Sequence, residues 1–215
     1  MGLRTENMLD AIQNYPGFLL AIIVFQLMPG PGMLTILDST ARNGFAAGLG
    51  ASFGLLIGDL IIMLIAIAGL EAVLLSSPQI FHLIQLAGAL YLMGSGVLLL
   101  RTPQQMQLSS TPQDLKFWQS LRHAAVISMT NPQVIVFFAA FFPQFVSVEP
   151  EALHFLIMVA HVTLISLIFQ LGLVFIGNRM AVHWAGVSWI GYAIRGLASL
   201  IMISFGVKLI ISLFD

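Results

Sequence analysis

Hydrophobic residues in this chain do not recur at every third or fourth position, as they would on the buried stripe of a surface helix. They run in long blocks separated by short polar stretches. Six blocks reach the roughly 20 residues that a membrane-spanning helix needs: about 18–37, 45–70, 80–100, 124–146, 152–176 and 196–214. The third and sixth are uninterrupted, whereas the first and fourth carry prolines. The pattern predicts an all-α integral membrane protein with six transmembrane helices, or five if the fourth is not fully inserted. Some seventeen mostly polar residues precede the first block, without the basic start and small-residue cleavage site of a signal peptide. The first span is therefore expected to stay in the chain.

Composition agrees and removes other classes. Hydrophobic residues make up 59% of the 215 and charged residues 8%, against about 25% charged in a soluble domain. The mean hydropathy is +0.98, so the lipid bilayer is the expected partner of the surface. A net charge of −1 offers no basic patch for nucleic acid. With no cysteine there is no disulfide or thiol chemistry.

Orientation follows from where Lys and Arg fall. The segments after spans one, three and five hold Arg42, then Arg101, Lys116 and Arg122, then Arg179 and Arg195. Those after spans two and four hold only the acids Glu71, Glu149 and Glu151. The basic segments are expected in the cytoplasm, with both termini outside. Trp118, Trp184 and Trp189 lie in or beside them, as interfacial anchors do.

Three spans per half, starting from opposite sides, describe a 3+3 inverted repeat. Repeat one covers about 15–101, a cytoplasmic loop about 102–122 and repeat two about 123–215, all in a single transmembrane domain. Span one carries Met28-Pro29-Gly30-Pro31-Gly32 and span four carries Met129-Thr130-Asn131-Pro132-Gln133. The last spans of the halves also end alike, Gly96-Val97-Leu98-Leu99 against Gly206-Val207-Lys208-Leu209. Proline removes a backbone donor and clashes one turn back, so the first and fourth helices are expected to be broken. In lipid a break survives only where its freed polar groups face protein or a wet cavity. Two breaks at matching places point to a transporter's binding site. Pro29, Gly30, Pro31 and Gly32, with Asn131, Pro132 and Gln133, are the candidate substrate-binding residues.

Polar residues inside the spans narrow the chemistry. Gly50, Gly54 and Gly58 put a small-residue stripe on one face of span two, suited to a close helix neighbour or to a homodimer seam. Asp59 follows directly, near the middle of the span. A carboxylate there costs about 2.5–3.5 kcal/mol on insertion scales, which leaves two readings: a coupling acid that exchanges protons, or a structural hydrogen-bonded aspartate. His161 lies near the middle of span five, the counterpart of span two, and is either the second coupling candidate or an interhelical hydrogen-bond partner. Gln26, Thr163, Ser166 and Gln170 are further polar positions, and Asp38 with Arg42 forms an i,i+4 pair at the rim. Gly94-Ser95-Gly96 with His161 offers an intramembrane hydrolase as a remote alternative. No Walker-A loop, His-Glu-x-x-His or potassium-filter motif is present. No cofactor, metal site or enzymatic activity is expected.

Several of these residues together resemble the LysE/RhtB family of amino-acid exporters. Pro29-Gly30-Pro31-Gly32, then Gly44-Phe45-Ala46-Ala47-Gly48-Leu49, then Gly58-Asp59 are similar to its first half. Gly88-Ala89-Leu90-Tyr91-Leu92, Asn131-Pro132-Gln133 and Phe142-Pro143-Gln144-Phe145 follow in the family's order. The resemblance implies export of amino acids or related small zwitterions across a prokaryotic inner membrane, driven by proton exchange. It also implies that the two proline motifs form the binding site and that Asp59 is the membrane acid. Gly32 replaces the family's usual Asn and Gln133 its usual Lys, so a substrate carboxylate would meet helix N-terminal amides instead. A passive channel or facilitator is the competing class.

Overall fold

A computed structural model describes residues 12, 14–28, 30–76, 78–101, 116–141, 145, 152–183 and 188–211. Among them are eight helices and no strand: α1 (Tyr15–Leu27), α2 (Pro31–Asn43), α3 (Phe45–Ser76), α4 (Pro78–Arg101), α5 (Phe117–Thr130), α6 (Pro132–Phe141), α7 (Ala152–His183) and α8 (Ser188–Ile211). Pro29, Glu149, Glu151, Trp184 and loop residues 102–115 lie outside the described residues.

Both expected breaks are present. The predicted first span is α1 and α2, bent by 52° at the break. The predicted fourth is α5 and α6, joined through Asn131. α3 and α7 each hold a stretch long and apolar enough to cross a bilayer, Phe45–Gly69 and Ala152–Asn178, and the bent pair α1–α2 qualifies as one span. α4 and α8 hold shorter apolar stretches, Leu86–Leu98 and Ser199–Ile211. The helices outrun the hydropathy blocks: α5 starts at Phe117 rather than near residue 124, and α7 continues to His183. Arg179 and Arg195, expected in a loop, stand on helical backbone. Hydropathy reports only the part of a helix that lies in hydrocarbon, whereas backbone hydrogen bonding continues beyond it.

The surface is inverted relative to a soluble protein. Leu64, Ile65, Leu156, Leu164, Ile168 and Leu200 are exposed, while Ser52, Asp59, Ser128, Asn131, Ser166 and Gln170 are buried. Such an apolar exterior fits lipid rather than water.

Glycines set the closest approaches. A Cβ on Gly50 or Gly54 would run into the carbonyl oxygens of Phe117 and Leu121, and one on Gly58 would lie 2.6 Å from Ser128 Cβ. The glycine face of α3 is thus filled by α5 of the same chain, running parallel to it. This corrects the expectation of a homodimer seam through Gly50, Gly54 and Gly58, because the backbone of α5 already occupies that face. α4 and α8 pack antiparallel and reciprocally. Gly96 meets Ser199 and Ile203 on α8, and Gly206 meets Ala89 and Met93 on α4. Ser199 Oγ also donates to Gly96 O at 2.6 Å. Between α2 and α3 the chain turns at Gly44, with φ 83° and ψ 179°, a conformation essentially reserved for glycine.

Candidate functional site

The two breaks are built alike. Met28, ending α1, and Asn131, ending α5, have nearly the same backbone (φ −72°, ψ 117° and φ −77°, ψ 110°). Each donates its N–H to the carbonyl three residues back, to Phe25 at 3.2 Å and to Ser128 at 3.1 Å. A proline then opens the next helix, Pro31 for α2 and Pro132 for α6, where its missing N–H costs nothing and its fixed φ suits a first turn.

The breaks also meet in space. A Cβ on Gly30 would lie 2.6 Å from Gln133 Oε1, so the absence of a side chain on one break makes room for the Gln133 side chain of the other. Phe25 of α1 and Phe137 of α6 stack beside them, ring centroids 3.8 Å apart.

A cavity of about 60 Å3 opens at this junction, enough for a few water molecules. Gly30, Gly32, Asn131 and Gln133 line it, as does Asp59. Five of the candidate residues are therefore brought together. Pro31 and Pro132 are exposed first-turn residues and do not line it, and Pro29 lies outside the described residues.

Asp59 Oδ1 accepts a 2.5 Å hydrogen bond from Ser128 Oγ on α5. The buried carboxyl therefore has one fixed partner on the parallel helix and one side on the cavity. A second cross-helix bond joins Gln26 of α1 to Ser166 of α7.

His161 is placed elsewhere. Its Nδ1 contacts Ile157 O of its own helix at 2.8 Å, and its ring packs edge-on against Tyr15 and Phe18. It does not line the cavity. The polar α7 residue that does is Gln170, buried, with an Oε1 that has no hydrogen-bond partner among the described residues. Periodicity separates the two: nine residues are two and a half turns at 3.6 residues per turn, which puts His161 and Gln170 on opposite faces. The sequence places His161 near the middle of span five, and only the helix phase relative to the breaks identifies Gln170.

Apart from Gln26, the remaining lining is apolar, with Phe25, Met28, Met33, Ile36, Leu55, Val134, Phe169 and Leu173. Among the described residues, Asp59 is the only charged one that lines the cavity. Asp38 and Arg42 pair at 2.6 Å on the last turns of α2, as their spacing predicts. Arg42 there also faces the negative end of the helix.

Comparison with known proteins finds relatives along nearly the whole chain. An uncharacterized membrane protein of Pseudomonas aeruginosa is 30% identical over 209 residues, covering 92% of this chain and 95% of the relative. A leucine efflux protein of Salmonella typhimurium is 29% identical over 199 residues, covering 87% and 94%. One of an Enterobacter species is 28% identical over 201 residues, covering 92% and 95%. No solved structure matches the chain. The LysE type translocator family matches residues 23–213, nearly the whole chain, and the chain belongs to that family.

Proposed function

We propose that this protein is a secondary transporter that exports leucine, or a similar apolar amino acid, from the cytoplasm of a prokaryote. One observation carries the reading. Two helix breaks about a hundred residues apart in sequence line a single cavity, with the carboxyl of Asp59 beside them. Half-helix ends at such a junction offer bare amides to an anion and carbonyls to a cation, which is the charge pattern of a zwitterion. The apolar remainder of the lining suits an aliphatic side chain, and the relatives named for leucine efflux support the same choice.

The proposed architecture is six spans in two inverted repeats: α1–α2, α3 and α4, then α5–α6, α7 and α8. Both termini lie outside the cytoplasmic membrane. The parallel run of α3 with α5 and the antiparallel run of α4 with α8 are what alternating spans two and four, and three and six, require. The mutual insertion of Gly96 and Gly206 supports a two-fold relation between the halves. The cavity holds only a few waters as it stands, so a solute enters as the halves move apart on one side and close on the other. Asp59, bridging α3 to α5, exchanges a proton during that motion and makes the protein a proton antiporter.

Counterflow of labelled leucine in proteoliposomes tests this. The expected result is saturable uptake into leucine-loaded vesicles, with accumulation driven by a pH gradient in wild type and lost in Asp59→Asn. Full gradient-driven uptake by the variant would remove Asp59 as the coupling acid. Flux that rises linearly with leucine and never accumulates would identify a channel.

A further inference from the structure

The two half-helix starts at the cavity are not equivalent. α6 opens on Asn131, whose Oδ1 accepts the N–H of Gln133 at 3.0 Å, so a free donor is already used there. α2 opens on Gly30, which has no side chain, and no side chain caps it. Pro31 has no N–H, and the N–H of Leu34 goes to Gly30 O at 3.1 Å. Among the described residues this leaves Gly32 and Met33 with the uncapped donors at a positive helix end. Both line the cavity.

α7 packs against α2 and carries Gln170. This side chain is 4% exposed, lines the same cavity, and holds its Oε1 buried with no partner. A buried acceptor without a donor costs free energy that an apolar residue of the same length would avoid. Ser166, one turn away, is engaged with Gln26 and does not relieve it. A polar group kept unpartnered at a cost to the empty protein, on a residue that lines one cavity with bare helix-start amides, is a group reserved for a ligand.

We infer that these features are the two ends of one site for an amino-acid zwitterion. The N–H groups of Gly32 and Met33 receive the α-carboxylate, and Gln170 Oε1 accepts from the α-ammonium. Asp59, in the same cavity, supplies the charge opposite to that ammonium. The inference rests on the exporter reading and adds to it the orientation of the bound solute and the residue that selects for its amino group.

The test is ligand-induced stabilisation of the purified full chain in lipid–detergent micelles. The probes are leucine, 4-methylpentanoate (which lacks the ammonium) and 3-methylbutylamine (which lacks the carboxylate). In wild type, leucine shifts the unfolding midpoint saturably and each single-charge analogue needs about tenfold higher concentration or more, because hydrogen bonds to charged groups are the strong ones. Gln170→Met, without ligand, is at least as stable as wild type. Its apparent affinity for leucine falls about tenfold or more, while that for 4-methylpentanoate is unchanged. Gln170→Glu keeps an acceptor at the same reach and keeps leucine binding.

Three outcomes overturn the inference, and they are distinguishable. If leucine does not stabilise wild type, the reading of a leucine exporter fails and this assignment fails with it. If leucine stabilises wild type and Gln170→Met alike, only the role of Gln170 is wrong. If Gln170→Met is less stable than wild type without ligand, the glutamine is a structural residue.

Discussion

Replacing Gly54 by alanine is the most economical probe of the packing that holds the site. The added Cβ would run into Leu121 O and reach 3.0 Å from Ala124 Cβ, both on α5. The first of these is backbone, so α3 and α5 must separate along their whole parallel contact. Overpacking of this kind costs about 1–3 kcal/mol. Alanine also gains about 0.5–1 kcal/mol over glycine within a helix, which would blur a single measurement. Gly94→Ala on α4 removes that ambiguity, because a Cβ there meets nothing within 4 Å. The backbone gain is common to both variants and cancels. Gly94→Ala should therefore be neutral or slightly stabilised, and Gly54→Ala should lie about 1–3 kcal/mol below it. Reversible unfolding by dodecyl sulfate in mixed micelles measures the difference. The midpoint of each variant should not depend on protein concentration, because the seam lies within one chain. If Gly54→Ala matches Gly94→Ala, the two helices are not in backbone contact. A midpoint that falls on dilution would return the glycine face to a dimer.

Other substitutions test the local geometry. Gly44→Ala forces a Cβ into φ 83° and should cost about 1–3 kcal/mol in the same unfolding assay; a neutral result would contradict the turn between α2 and α3. Asn131→Ala removes the cap on Gln133 N–H and should destabilise by about 0.5–2 kcal/mol. Asn131→Asp, which keeps the acceptor, should recover most of that loss, and equal losses in the two variants would show that the cap is not what Asn131 supplies. Reporter fusions after Asp215 and within residues 102–115 should report opposite sides of the membrane; the same side for both would exclude six alternating spans.

Much of this was legible in the sequence because lipid imposes simple rules. Blocks of apolar residues marked where the helices lie, and the prolines at 31 and 132 marked both breaks, since no packing arrangement restores a proline's missing donor. Asp59 stood out because it is the one charge at mid-span, and it does line the cavity. Asp38 and Arg42 paired as i,i+4 spacing requires. What the sequence could not supply was relational. Gly50, Gly54 and Gly58 announce a close neighbour but do not say which, and α5 fits as readily as a second copy until its backbone is placed. His161 and Gln170 are both single polar residues on one long helix. Their difference is rotational phase, fixed by how α7 leans on α2 and α3 rather than by either residue. The helix ends were missed for a different reason, because the first turns of α5 and the last of α7 carry polar residues that hydropathy scores as loop.

The central claim is that an amino acid binds in the cavity between the two helix breaks. The chain contains no cysteine, so a single introduced thiol reports on one position alone. Met33→Cys places the thiol on the cavity lining, and Ile168→Cys places it on the exposed outer face of α7. The measurement is the rate of maleimide labelling of each variant, in transport-active proteoliposomes, against leucine concentration. Leucine should slow labelling of Met33→Cys along the same saturation curve as transport and leave Ile168→Cys unchanged. A Met33→Cys protein that transports leucine while its labelling ignores leucine at every concentration would show that the solute binds elsewhere.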